Sequence, residues 1–321
     1  MSTSNNRYNN EIQVNWSNNT NKLCSIHKLS YEKLIKLIKI SDRSIEKIED
    51  MNNMPNLRRL DISKNNITRL NGLNTLPALS MLNVSSNELQ SDGALEELRY
   101  LQNCRTLNIG FNPKIKHIRS HVIKPLGTLQ VLIANDCGLT KISFLKFLPL
   151  LNTLVLSKNK LTSFTFEEVG SLPFLIKLSL GNNEFTSIPD LTMICKQVNN
   201  RTKPQKSNQF KQNQTSYDKV PDMCLEELRL NYNKIQDIDG YILKYNKLKT
   251  LDLSNNYISE WKNVEILTKL ENLTNLTIHS NQFNISEITI PNIKTINDLI
   301  IREDISSHLI KTDLESYCRR Y

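Results

Sequence analysis

Few residues in this chain are spaced for chemistry. His117 and His121 stand four apart, which would place two imidazoles on one helical face, but no glutamate follows His117 and no third ligand is in register, so the pair does not read as a metal site. The six cysteines, Cys24, Cys104, Cys137, Cys195, Cys224 and Cys318, contain no Cys-x-x-Cys pair. That distribution suits buried, idle thiols in a reducing compartment better than a disulfide framework or a zinc site. The 8 glycines include no Gly-x-Gly, which removes the dinucleotide fingerprint and the phosphate-cradling loop, since both need glycine backbone at close spacing. No Gly-x-Ser-x-Gly elbow occurs. The expectation is a protein with no catalytic residue, no cofactor and no metal.

What must position any functional residue is a repeat. Of 321 residues, 46 are Leu and 41 are Asn, and the two recur together as Leu-x-x-Leu-x-Leu-x-x-Asn-x-Ile/Leu. One copy is Leu57, Leu60, Ile62, Asn65 and Ile67; further copies begin at Leu79, Cys104, Leu129, Leu151, Leu175, Leu225, Leu248 and Leu273. Successive starts advance by 22, 25, 25, 22, 24, 50, 23 and 25 residues. Weaker copies flank them, at Ile35, Ile38 and Ile40 and at Ile296, Leu299 and Ile301. The fourth and sixth positions alternate as a short strand, and the third, fifth, seventh and eighth point the other way. One repeat is too small to hold a core, so the copies must stack and bury their apolar faces against one another. The Asn at the ninth position buries an amide, which is tolerable only if that amide bonds the backbone of adjacent turns; Cys137 interrupts the row.

This pattern resembles the leucine-rich repeat family over roughly residues 35–301. The resemblance implies an α/β fold: a right-handed solenoid, or horseshoe, with a concave parallel β-sheet and short convex helical or irregular segments. The repeat length, and the cap-like run Ile290-Pro291-Asn292-Ile293-Lys294-Thr295-Ile296-Asn297-Asp298, look like the intracellular class of about 22 residues per repeat. That class includes a regulatory subunit of protein phosphatase 1 and an axonemal dynein light chain, so the resemblance implies a cytoplasmic or nuclear protein, or one of the cilium and axoneme. The expected layout is a tail and the start of a cap over 1–29, a solenoid of 11 to 12 repeats over 30–301, and a cap or tail over 302–321. Ser30 is placed to N-cap a shielding helix through Lys36. The 50-residue step reads as one degenerate repeat interrupted by a disordered basic loop over 196–221.

Charge and hydropathy narrow the partners. The net charge is +9, but the stretch from Cys195 to Asp222 alone supplies +4, with Lys196, Arg201, Lys203, Lys206, Lys211 and Lys219 against Asp218 and Asp222. Outside it, Asp61, Asp136, Glu227 and Asp252 mix with the basic residues of the exposed rows, so no basic stripe forms and nucleic acid is not the expected partner, the insertion apart. No 18-residue apolar run occurs; Ile142 to Leu151 is broken by Lys146, so no membrane span is expected. Met1 to Thr20 has no apolar core, so no secretory signal is expected.

The outward positions supply the candidate site. Met81, Phe111, Val131, Ile133 and Val155 form an apolar patch where strands facing water should be polar, with Arg59, Lys64, Lys158 and Lys177 around it. Arg229, Tyr232 and Asp252 continue the same rows. The reading is a monomeric scaffold that binds another protein through this face. Lys141-Ile142-Ser143-Phe144 matches the short docking motif of phosphatase-1 partners, but Ile142 is in phase with the repeat core, like Leu70 and Ile238, and burial is expected.

Overall fold

The computed structural model describes residues 2–6, 11–15, 35–48, 54–195, 223–283 and 298–300. From Leu57 on, each repeat copy yields a three-residue strand centred on its fourth position. The strands are β1 (Ser2–Asn6), β2 (Glu11–Asn15), β3 (Ile35–Lys39), β4 (Arg59–Asp61), β5 (Met81–Asn83), β6 (Thr106–Asn108) and β7 (Val131–Ile133). They continue with β8 (Thr153–Val155), β9 (Lys177–Ser179), β10 (Glu227–Arg229), β11 (Thr250–Asp252), β12 (Asn275–Thr277) and β13 (Asp298–Ile300). All thirteen lie in one sheet in sequence order. From β2 onward every neighbour is parallel, and the fourth-position leucines are in register: Leu82 opposite Leu107, Leu107 opposite Leu132, Leu132 opposite Leu154. Parallel neighbours need a crossover, and each repeat's convex segment supplies it.

Two expectations change here. β9 pairs directly with β10, Leu178 opposite Leu228, so no strand of a degenerate repeat stands between them in the sheet. The step is one repeat carrying extra residues; the expected basic loop 196–221 lies outside the described residues. At the N-terminus, where a tail is expected, the sheet continues: β2 pairs parallel with β3, and β1 pairs antiparallel with β2. The physical reason is in the sequence, since Glu11-Ile12-Gln13-Val14-Asn15 alternates polar and apolar with the period of a strand. Of the helix expected from Ser30 through Lys36, residues 30–34 lie outside the described residues, and Ile35 and Lys36 are strand. At the other end Leu276 stands opposite Leu299, the register of the weak last copy.

The convex side is made of short helices and 3-10 turns, among them α1 (Ser91–Ala94), α2 (Ser120–Ile123), α3 (Phe166–Val169) and α4 (Trp261–Glu265), and the 3-10 turns Glu96–Tyr100, Ser143–Phe147 and Gly240–Lys244. Repeats of 22 to 25 residues leave no length for more. The leucines of strand and crossover meet in one continuous core from Ile38 to Phe283. At the C-terminal side of this core the Trp261 and Phe283 rings meet edge-on, with centroids 5.5 Å apart.

The asparagine row is a ladder. Asn159 shows the pattern: its Nδ2 donates to Ala134 O (2.9 Å), Leu156 O (2.8 Å) and Ser157 O (3.4 Å). Its Oδ1 accepts from Cys137 N (3.2 Å) and Leu139 N (2.9 Å) of the preceding turn. Asn65, Asn87, Asn112, Asn183, Asn233, Asn256 and Asn281 repeat it. Cys137 keeps the donor half, its Sγ reaching Ile109 O (3.3 Å) and Asn135 O (3.5 Å). The lost acceptor half is tolerable because the residue two after the ladder asparagine of the preceding turn is the exposed Lys114, the buried aliphatic there being Ile115. The residue just before each ninth position must bend the chain out of the strand, and at Lys64, Ser86, Phe111, Asp136, Lys158, Asn182, Tyr232, Asn255 and Ser280 φ is left-handed, between 52° and 56°.

The extra residues of the ninth-to-tenth strand crossover are anchored where they begin. Tyr245, fully buried in the following repeat, accepts a bond from Leu191 N (2.9 Å) and donates to Pro189 O (2.6 Å), and Tyr241 donates to Ile188 O. Burial pushes both phenols well above their ordinary value, so they stay protonated donors.

Candidate partner-binding groove

On the concave face the fifth and seventh positions form a local strap in some repeats. Asp61 Oδ1 accepts from Ser63 N and Oγ, Asn83 Oδ1 from Ser85 N and Oγ, Asn108 Oδ1 from Gly110 N, and Asp252 Oδ1 from Ser254 N and Oγ, all at 2.7–3.2 Å. These polar side chains are occupied by their own backbone. From β7 to β10 the fifth position is Ile133, Val155, Ser179 and Arg229, and no such strap forms. There the face opens into a groove with a cavity volume of about 430 Å³, reaching from Phe111 to Asp252.

The groove has an apolar end and a charged end. Ile133 and Val155 line the first, beside Phe111, which is 36% exposed. At the second, Glu227 Oε1 accepts from Arg229 Nε at 2.7 Å, and its Oε2 lies 3.2 Å from Lys177 Nζ across the strand pair. Burial alone would raise the Glu227 pKa, but Arg229 and Lys177 outweigh it and hold the carboxyl below its ordinary value. Tyr232, 48% exposed, closes this end. Ser157 and Ser179 share a 2.7 Å bond on the floor between the two ends.

Glycines at the seventh position make two hollows. A Cβ on Gly110 would come within 2.3 Å of Asn135 Oδ1, and a Cβ on Gly181 within 2.3 Å of Asn231 Oδ1. Each asparagine thus lays its amide over the glycine of the preceding repeat, at opposite ends of the groove.

Of the residues proposed from sequence, Phe111, Ile133, Val155, Lys177, Arg229, Tyr232 and Asp252 line this groove. Arg59 is exposed and Met81 half-buried, but they lie on β4 and β5, outside it. The exposed apolar patch is corrected in one respect. Val131 and Ile133 are only 4% and 3% exposed, although neither belongs to the core beneath the sheet. Val131 is flanked by Thr106 and Thr153, and Ile133 by Asn108 and Val155; on the inner wall of a curved sheet such neighbours converge and cover β-branched side chains from both sides. Asn135, Ser157 and Asn231 are lining residues the sequence reading passes over, and Glu227 it places in the exposed rows without assigning it to the site; the seventh-position glycines were the available signal for the asparagines.

The remaining chemical candidates are placed elsewhere. His121 Nε2 lies 3.1 Å from Glu96 on the convex surface, where Arg99 and Arg119 also face that carboxylate at 3.6 Å. Among the described residues no three His, Cys, Asp or Glu side chains gather around a possible metal position. Cys104, Cys137 and Cys195 are buried, and burial pushes each thiol up to about 12; Cys224 is partly exposed, and Cys24 and Cys318 lie outside the described residues. Ile142 and Phe144, the anchors of the phosphatase-like docking motif, are 0% and 1% exposed, so that motif belongs to the core. No helix among the described residues is long and apolar enough to cross a membrane.

Two stretches match family models, residues 53–69 that of the leucine-rich repeat and residues 225–265 that of two consecutive leucine-rich repeats. With the sheet's register, they mark the fold as a leucine-rich repeat solenoid. Among solved leucine-rich repeat structures, internalin InlF of Listeria monocytogenes superposes with a TM-score of 0.64 at 21% identity, over 84% of this chain and 68% of that one. A leucine-rich repeat protein of Leptospira interrogans gives 0.62 at 24% identity, over 79% and 58%. The functional domain of InlJ from Listeria monocytogenes, which includes a cysteine ladder, gives 0.53 at 20% identity, over 84% and 53%. At such identities the likeness shows a shared leucine-rich repeat fold, and this chain spans about half to two thirds of those proteins. No curated protein matches the sequence significantly.

Proposed function

We propose that this leucine-rich repeat protein is a non-enzymatic scaffold that captures another protein on its concave face, over the groove between Phe111 and Tyr232. The observation that carries this reading is the switch in the fifth-position row. Where the row is Asp or Asn it is tied to its own backbone; over four consecutive strands it is Ile133, Val155, Ser179 and Arg229, and the face is open, part apolar and part charged. Apolar surface rimmed by charge is the composition of interface centres. The repeat length of 22 to 25 residues supports placing the chain in the short-repeat intracellular class.

The test is affinity capture with mass spectrometry, comparing the wild type with Val155→Asp and with Tyr232→Ala. Both side chains are at least partly exposed, so the fold should tolerate the changes. The same partner should be lost from both variants while their thermal unfolding stays within a few degrees of wild type. Equal recovery of every partner by both variants would remove the groove as the site. Val131→Asp is not a suitable probe, because a carboxylate at a position 4% exposed would destabilise the sheet.

A further inference from the structure

The groove's dimensions and its unused polar groups say more about what occupies it. This step rests on the concave-face reading. We infer that the occupant is a single extended peptide segment of the partner, with an acidic side chain beside Lys158 and an aliphatic one over Val155.

Size comes first. A volume of about 430 Å³ falls in the range of sites that enclose a short ligand, about 300–1,000 Å³. A folded protein face of ordinary interface size needs about 800 Å² of surface on each side. From the strand before Phe111 to the strand before Tyr232 there are four strand-to-strand steps, roughly 19 Å at about 4.8 Å each, the reach of about six extended residues.

The polar groups select a backbone. Asn135 is 3% exposed, lines the groove, and its Oδ1 is buried without a hydrogen-bond partner against Gly110. Among the described residues its side chain makes no hydrogen bond, so the other end of the amide is left to the groove. That end is a donor, and its complement is a carbonyl oxygen, which a peptide supplies at every residue. Asn231 repeats the arrangement over Gly181, three strand steps away, roughly 14 Å. Residues i and i+4 of an extended peptide lie on one side about 13 Å apart, so one peptide can meet both amides.

Charge selects a side chain. Lys177 and Arg229 share Glu227, and Asp252 already accepts two bonds from Ser254. Lys158, exposed on the groove wall, makes no ion pair among the described residues, and neither does Asp136 one strand away. Asp136 does not line the groove, so the unmatched charge within it is the positive one of Lys158, on the same wall as Val155.

The probe is a phage-displayed library of random linear octapeptides, selected on the full chain and in parallel on Lys158→Glu, which alters only an exposed side chain. The wild type should enrich peptides with Asp or Glu one or two residues from an aliphatic. A synthetic copy of such a peptide, followed by fluorescence anisotropy, should bind Lys158→Glu at least tenfold more weakly, and selection on that variant should switch the preference to Lys or Arg. Asn135→Leu should weaken binding without changing the charge preference. Peptides that bind wild type and Lys158→Glu equally would overturn the inference. So would failure to enrich any linear peptide when Val155→Asp still abolishes capture of a folded partner, an outcome that leaves the concave-face reading intact.

Discussion

A single ladder asparagine carries an unusual share of local stability. Asn159 satisfies backbone groups of two adjacent turns, and Asn159→Ala would orphan buried donors and acceptors at a cost of about 1–3 kcal/mol each. We expect a loss of about 3 kcal/mol or more in urea unfolding; a loss below about 1 kcal/mol would mean that water replaces the amide. Glu227 gives a prediction in pH. Its carboxyl is held below the ordinary value of 4.5, so the folded state binds its proton less readily than the unfolded chain does. The stability this adds is present above the unfolded value and is lost as pH falls through the folded one. The stability difference between wild type and Glu227→Gln should be constant near neutrality and shrink below about pH 4.5; a difference independent of pH would contradict the ion-pair account. At this scale the ladder was legible in the sequence, because a polar residue recurring amid leucines has few uses. The burial of Val131 and Ile133 was not, because it depends on which residues stand beside them on other strands.

Among elements, the crossover between β9 and β10 shows what a repeat tolerates. Its Ile188, Leu191 and Ile194 keep the packing positions of an ordinary repeat, all buried, as is Cys195, where the described segment ends. Tyr245 ties the outgoing segment to the next repeat through Leu191 N and Pro189 O. Tyr245→Phe should cost about 1–3 kcal/mol and raise hydrogen exchange chiefly over residues 186–195. Exchange raised evenly along the chain would mean that the hydroxyl does not act locally. The spacing of 50 did not reveal that this is one repeat and not two, since two repeat lengths and one repeat with an insertion give the same arithmetic. Only the pairing of Leu178 with Leu228 separates them.

At the scale of the whole molecule, stacked repeats set one wall toward water and another toward the core, and the proposed recognition surface is made by what the outward rows carry. Period and register were readable because every copy repeats the same buried leucines. The groove was only half readable: its apolar and charged residues stood in the right rows, but its ends are set by glycine hollows and by straps that close the neighbouring repeats. Hydroxyl-radical footprinting of the captured complex tests the central claim most directly. Phe111 and Tyr232 are exposed in the groove, while Tyr100, Phe166 and Phe174 are exposed away from it. With partner bound, labelling of Phe111 and Tyr232 should fall severalfold while the other three stay unchanged. Protection of Tyr100, Phe166 or Phe174 with Phe111 and Tyr232 still reactive would place recognition outside the concave face.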